Sequence, residues 1–153
     1  MARKIATNTR VDREALTEFV RARHRMILIT QRSDGTPQAS PVTGGVDDSA
    51  RVVISTYPDR AKCRNARSRP DVSVLVLSDD WDDPWVQVDG TADVIEARDD
   101  VEPFVEYFRN ISGEHSDWAE YRQAMLDQGK SLIRLTPTRW GPVATGGFPA
   151  RLA

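Results

Sequence analysis

Two tight reversals near the start of this chain constrain its fold more than anything else in it. Met26-Ile27-Leu28-Ile29-Thr30 reads as a buried strand, and the polar run Arg32-Ser33-Asp34-Gly35-Thr36-Pro37 ends it. An Asp-Gly pair between two strand-like runs favours a hairpin. Gln38 to Val46 is the return strand, with Pro41, Gly44 and Gly45 implying an edge, a bulge or a close approach. Asp47-Asp48-Ser49 then turns the chain into a third strand, Arg51 to Ser55. A doubly wound parallel sheet needs a helix between successive strands, and these connections are too short to hold one.

Further along, Val72 to Leu77 reads as a strand, the acidic loop Ser78 to Pro84 follows, and Trp85 to Glu96 alternates polar and apolar with Gly90 as a bulge. Leu132 to Leu135 supplies the last strand. Helical periodicity appears over Asp12 to Arg23, capped by Thr9 or Asp12. It recurs over Asp99 to Asn110, and from a Ser116 or Asp117 cap to near Gly129. About six strands with short connections and a few helices predict a mainly β protein, an antiparallel barrel with helical additions. No repeat or linker divides the chain, so residues 1–153 are expected to form one domain, with a core over about 12–140 and an aperiodic Gly/Pro-rich tail over 141–153.

The chemistry concentrates in Ser55 to Pro70, STYPDRAKCRNARSRP. Arg60, Lys62, Arg64, Arg67 and Arg69 stand there against Asp59 alone, a local charge of about +4 in a chain of formal net charge −2. Hydroxyls at a strand end, a helix start and cations together suit an anion such as a phosphate. A solvated helical turn is the competing reading, because Arg60, Arg64 and Arg67 fall on one helical face. A single basic patch at an overall pI of about 5.7 argues against generic nucleic-acid binding. No apolar run approaches the ~18 residues that span a bilayer, and the first residues lack a secretory h-region, so a cytoplasmic protein is expected. One cysteine, Cys63, excludes an intrachain disulfide and reads as a small buried hydrophobe. With two histidines, His24 and His115, no metal site is expected. Neither histidine has neighbours that make it a general acid, and no catalytic side chain can be named.

The order of these parts resembles the split β-barrel flavin-binding proteins related to pyridoxamine 5′-phosphate oxidase, and within them the actinobacterial branch that uses the deazaflavin coenzyme F420. GTPQASPV, STYPDRAKCRN with the following RPDVSVLV, and YFRNISGEHSDWAEYRQAM carry the resemblance. It implies a split-barrel homodimer with two cofactors in grooves between subunits. It places the cofactor phosphate on Ser55, Thr56, Arg60, Ala61 and Lys62, with Asn65 bonding either the segment or the cofactor tail. It lays the ring against Ser40, Pro41, Val42 and Thr43. Relatives carry larger polar residues where this chain has Gly44-Gly45. Trp81 either plugs a small core beside its four aspartates or overhangs the groove and stacks on the cofactor.

The function implied is an F420H2-dependent oxidoreductase that passes hydride to an electron-poor acceptor such as an enone, quinone, lactone or tetrapyrrole. Flavin mononucleotide (FMN) is the alternative cofactor, since it too ends in a phosphate. A non-catalytic protein that stores F420 is the alternative function. The partners expected are a small-molecule substrate and a second copy of the chain, with neither nucleic acid nor membrane.

Overall fold

The computed structural model describes residues 6–152. Strands β2 (Arg25–Gln31), β3 (Pro37–Val46), β4 (Val52–Thr56), β5 (Asp71–Val76), β6 (Val86–Glu96) and β7 (Ser131–Trp140) form a closed barrel in the order β2-β3-β4-β7-β6-β5. Every neighbouring pair is antiparallel. Both short connections read from the sequence are hairpins. In the first, Asp34 accepts from the Thr36 amide and hydroxyl. In the second, buried Asp47 accepts from the Ser49 and Arg51 amides and from the Arg51 side chain.

Alternation along each strand decides which side chains fill the barrel. Met26 and Leu28 of β2, Val72, Val74 and Val76 of β5, and Val86, Val88 and Ala92 of β6 are buried in one cluster with Val52, Ile54, Ile133 and Leu135. Val53 and Leu132 point the opposite way and are buried as well, because α3 (Glu102–Ser112) and α4 (Trp118–Asp127) cover that outer face. The unbroken apolar runs in β4 and β7 are therefore strands covered on both sides. Phe104, Val105, Tyr121 and Met125 complete this second core.

Helices close the barrel's ends. Leu16 and Val20 of α1 (Arg13–Arg21) join the first cluster near Met26 and Val46, and Asp12, not Thr9, caps the helix through the Ala15 amide. At the other end, α2 (Ala61–Ser68) inserts Cys63 and Ala66, 0% and 1% exposed. Small residues let it sit close against the strand ends.

Gly90 marks the expected bulge, where the register of β6 against β7 shifts. A Cβ there would lie 2.2 Å from the Thr136 carbonyl oxygen. The tail differs from its aperiodic reading. β8 (Val143–Thr145) pairs with β1 (Thr7–Thr9), a short 310 turn (Ala150–Leu152) follows, and Phe148 stacks on Trp85 at 5.6 Å. Three-residue strands carry too little pattern to read, and these two pair across almost the whole length of the chain. The last barrel strand also runs to Trp140, whose indole donates to the Val11 carbonyl of the same chain.

Candidate cofactor site

The hydrogen-bonded ladder between β3 and β4 stops early. Only Gly44 to Val46 pair with Val52 to Ile54, although β3 begins at Pro37 and β4 continues to Thr56. Residues 37–43 of β3 thus keep one edge unpaired towards the end of β4 and the start of α2. This is the split in the barrel, and it brings together two segments that the sequence reading joined only through resemblance.

At the top of the opening Tyr107, from α3, donates its hydroxyl to the Thr43 carbonyl at 2.8 Å. Burial raises the Tyr107 pKa above its ordinary value, and the Ser55 backbone amide offsets part of that rise. The phenol therefore sits where the ladder would have continued, between Thr43 and Ser55. Along the open edge the side chains alternate: Pro41 and Thr43 are exposed, while Ser40 and Val42 are half-buried. Ser40 accepts from the Gln38 amide, and Val42 packs on the barrel core.

Across the opening, Ser55 is half-buried and Thr56 is 4% exposed. Arg60 occupies the N-cap of α2 with extended backbone, and no side chain caps the helix. Its first-turn amides, those of Ala61 and Lys62 among them, have no partner within the helix. They carry the partial positive charge of a helix start.

The five cations of the segment divide into two groups. Arg67 pairs with Glu96, and Arg69 donates to the Gln31 carbonyl and to the Asn65 side chain. Arg60, Lys62 and Arg64 form no ion pair among the described residues. Asn65 is buried, donating to the Thr30 hydroxyl while accepting from Arg69, so it braces the helix from below. Lys130, just before β7, adds a cation that sequence reasoning missed. Its ammonium lies 4.0 Å from the centre of the Tyr57 ring, and the Arg60 guanidinium lies 5.9 Å from the same centre. Nothing local marks Lys130, because only the pairing of Thr56 with Ser131 brings it here. Tyr107 opens the motif YFRNISGEHSDWAEYRQAM, which marks the segment but not the role.

Gly44 and Gly45 are buried and leave no free space. A Cβ at Gly44 would meet the Met26 sulfur at 2.4 Å inside the barrel, and one at Gly45 would meet Ile111 of α3 at 3.2 Å. They serve close internal packing, and the groove edge ends before them.

Trp81 does not join the cradle within this chain. α2 lies at the barrel end where β5 begins, whereas Trp81 follows β5's far end, beyond the pairing of Met26 with Val76. A six-residue strand separates the two by roughly 20 Å. The histidines are held internally as well. His24 contacts the Gly44 carbonyl at 2.9 Å, and His115 accepts from the Asp117 amide within a cluster of Phe108, Trp118 and Tyr121.

The solved structures of similar shape include a conserved hypothetical protein of Mycobacterium tuberculosis, with a TM-score of 0.72 and 19% identity over 90% of this chain and 87% of that one. An F420 reductase matches with a TM-score of 0.60 and 21% identity, over 80% and 94% of the two chains. A heme storage protein of Vibrio cholerae matches at 0.64 and 18%, over 85% and 93%. At such identities the likeness shows the fold alone. A family model described as pyridoxamine 5′-phosphate oxidase matches residues 12–144, and with its split barrel this chain belongs to that family.

Proposed function

We propose that the chain is a homodimeric oxidoreductase that binds coenzyme F420 and delivers hydride to an electron-poor organic acceptor such as an enone, quinone, lactone or tetrapyrrole. The carrying observation is the open edge of β3 facing a helix start at which Arg60, Lys62 and Arg64 form no ion pair among the described residues. Such a donor set fits a phosphate: two hydroxyls, first-turn amides, a guanidinium able to fork two oxygens and an ammonium acting as a point charge. Ser55, Thr56, Arg60, Ala61 and Lys62 would hold the phosphate. Arg64 and Lys130 extend the positive surface towards an acidic tail.

The edge of β3 from Ser40 to Thr43 that faces away from β2 would line the ring, with Tyr107 fixing the strand where that edge begins. When bound, the reduced deazaflavin supplies a hydride, and the chain's task is to hold it, orient it and keep water away. That division of labour matches a site without an acid–base cluster. A second copy of the chain completes the groove in this reading. Trp81 reaches a cofactor only across that subunit boundary.

FMN has the same terminal phosphate but lacks the acidic tail, so the cations beyond the phosphate favour F420. Calorimetric titration with each cofactor tests the choice. We expect the tighter dissociation constant for F420, and tight FMN binding with none of F420 would reverse the assignment. Oxidation of bound reduced F420 should occur in a single turnover with at least one acceptor class, whereas no acceptor-dependent oxidation across the panel would point to storage.

A further inference from the structure

A chain of side-chain hydrogen bonds runs beneath α2 and finishes on the open edge of β3. Arg69 donates to the side-chain oxygen of Asn65 at 3.1 Å, so the Asn65 nitrogen faces the other way. That nitrogen donates to the buried Thr30 hydroxyl, also at 3.1 Å. The Thr30 oxygen is thereby an acceptor, and its own proton turns to Gln38. The Gln38 side-chain oxygen, at 3.3 Å, is nearer to it than the Gln38 main-chain carbonyl at 3.5 Å.

The far end of the chain fixes the same direction independently. Gln38 Nε2 lies 3.1 Å from the Ala39 carbonyl oxygen and 3.1 Å from the Ser40 hydroxyl oxygen. A carbonyl only accepts, so the atom facing it must be the NH2 group and not the amide oxygen. An NH2 group only donates, so Ser40 Oγ accepts from it. The Ser40 proton then has one acceptor among the described residues, Gln38 Oε1 at 3.5 Å, too far for an O–H···O bond. That oxygen already faces the Thr30 hydroxyl. Ser40 is only half-buried, so its unspent O–H is left to the opening.

We infer that Gln38 and Thr30 are positioning residues that set Ser40 as a hydrogen-bond donor, and that its hydroxyl donates to a carbonyl oxygen or ring nitrogen of the ring held against β3. The direction of the chain stands on the protein's own bonds; only the identity of the ring rests on the F420 reading. A serine in water turns freely, and fixing it at the moment of binding costs rotational freedom. Here a chain anchored on the Arg69 guanidinium fixes it beforehand, which is preorganisation at a place where the ring's polar edge has to be recognised. A group that can only donate gains less beside this hydroxyl, so the Gln38–Ser40 pair sorts ligands by the atoms they present.

The first measurement needs no cofactor. Magnetic resonance contacts from the Gln38 side-chain NH2 protons should be stronger to the Ser40 β protons than to the Thr30 side chain. The opposite order would place the amide oxygen against Ser40 and overturn the inference. The second is a double-mutant cycle read as F420 dissociation constants, with Gln38→Met keeping the side chain's length while dropping its amide. Ser40→Ala should weaken binding about tenfold and Gln38→Met about fivefold, yet Gln38→Met should cost nothing further in protein that already carries Ser40→Ala. Equal weakening in both backgrounds would mean that Gln38 acts by packing alone, and the positioning role would fall. A wild-type protein that binds no F420 would remove the cofactor reading and leave the first measurement to decide the direction of the chain.

Discussion

An alanine at Gly90 would put its Cβ 2.2 Å from the Thr136 carbonyl oxygen and 2.7 Å from Leu135, and backbone cannot swing aside as a long side chain can. We expect Gly90→Ala to cost about 3 kcal/mol or more in urea unfolding, at the upper end of overpacking effects. Gly44→Ala should cost less, since its closest neighbour is the flexible Met26 side chain. In the cradle, the Arg60 and Lys62 side chains make no hydrogen bond among the described residues. Arg60→Ala and Lys62→Ala should each weaken F420 binding by about 10- to 100-fold, the worth of a charge-assisted bond, with the melting temperature unchanged. Asn65→Ala should act in reverse: a loss of about 1–3 kcal/mol in stability, because Thr30 and Arg69 lose a buried partner, with a smaller effect on affinity in the folded fraction. If the Arg60 or Lys62 variant unfolded while its folded fraction bound F420 normally, the anion site would lie elsewhere.

The hairpin of α3 and α4 is the element that turns a motif into architecture. Burial, with the neighbouring Tyr107, pushes the Tyr121 pKa up to about 12, and its hydroxyl donates to the Phe104 carbonyl. A folded pKa above the unfolded value of 10.0 means that the protonated phenol stabilises the fold. That contribution is complete below pH 10 and is lost as pH rises towards 12. Thermal unfolding followed from pH 8 to 12 should therefore show a steep alkaline fall, which Tyr121→Phe flattens while lowering stability at neutral pH. A wild-type curve and a Tyr121→Phe curve of equal slope would contradict this. The same hairpin carries Tyr107 to the split, so helix packing and the geometry of the open edge are one structural event.

Over the whole molecule, the outward row on the barrel formed by Ile27, Leu75 and Pro41, with Ile29 and Ala39 beside it, lies in paired register and is only half-covered or exposed. An apolar strip of this kind asks for a partner. For a homodimer we expect light scattering to give twice the 17.2 kDa chain mass. Leu75→Arg should then give monomers that have lost cofactor affinity, although Arg60 and Lys62 remain in place. A wild-type protein that is monomeric at micromolar concentration would remove the shared groove.

Much of this was readable from residues alone, wherever local chemistry is strong. Asp34-Gly35 and Asp47 fold their own turns through bonds spanning a few residues, so the antiparallel barrel followed from them. The alternation in Trp85 to Glu96, the bulge at Gly90, the Asp117 cap and the burial of Cys63 were legible for similar reasons. The composition of the cation-rich segment is what raises the expectation of an anion site. What it could not show was the division of those cations. Arg67 and Arg69 are consumed by Glu96, Gln31 and Asn65, partners set by long-range packing. Lys130 and Tyr107 reach the site only because β7 and α3 return to β4. Trp81 is expected either to plug a small core or to overhang the groove, and β5 carries it to the barrel end opposite the cradle. Local sequence determines turns, caps and strand faces because those energies are short-ranged. Barrel closure alone decided which charges stay free and which residues share a groove, because it pairs segments that chain distance keeps apart.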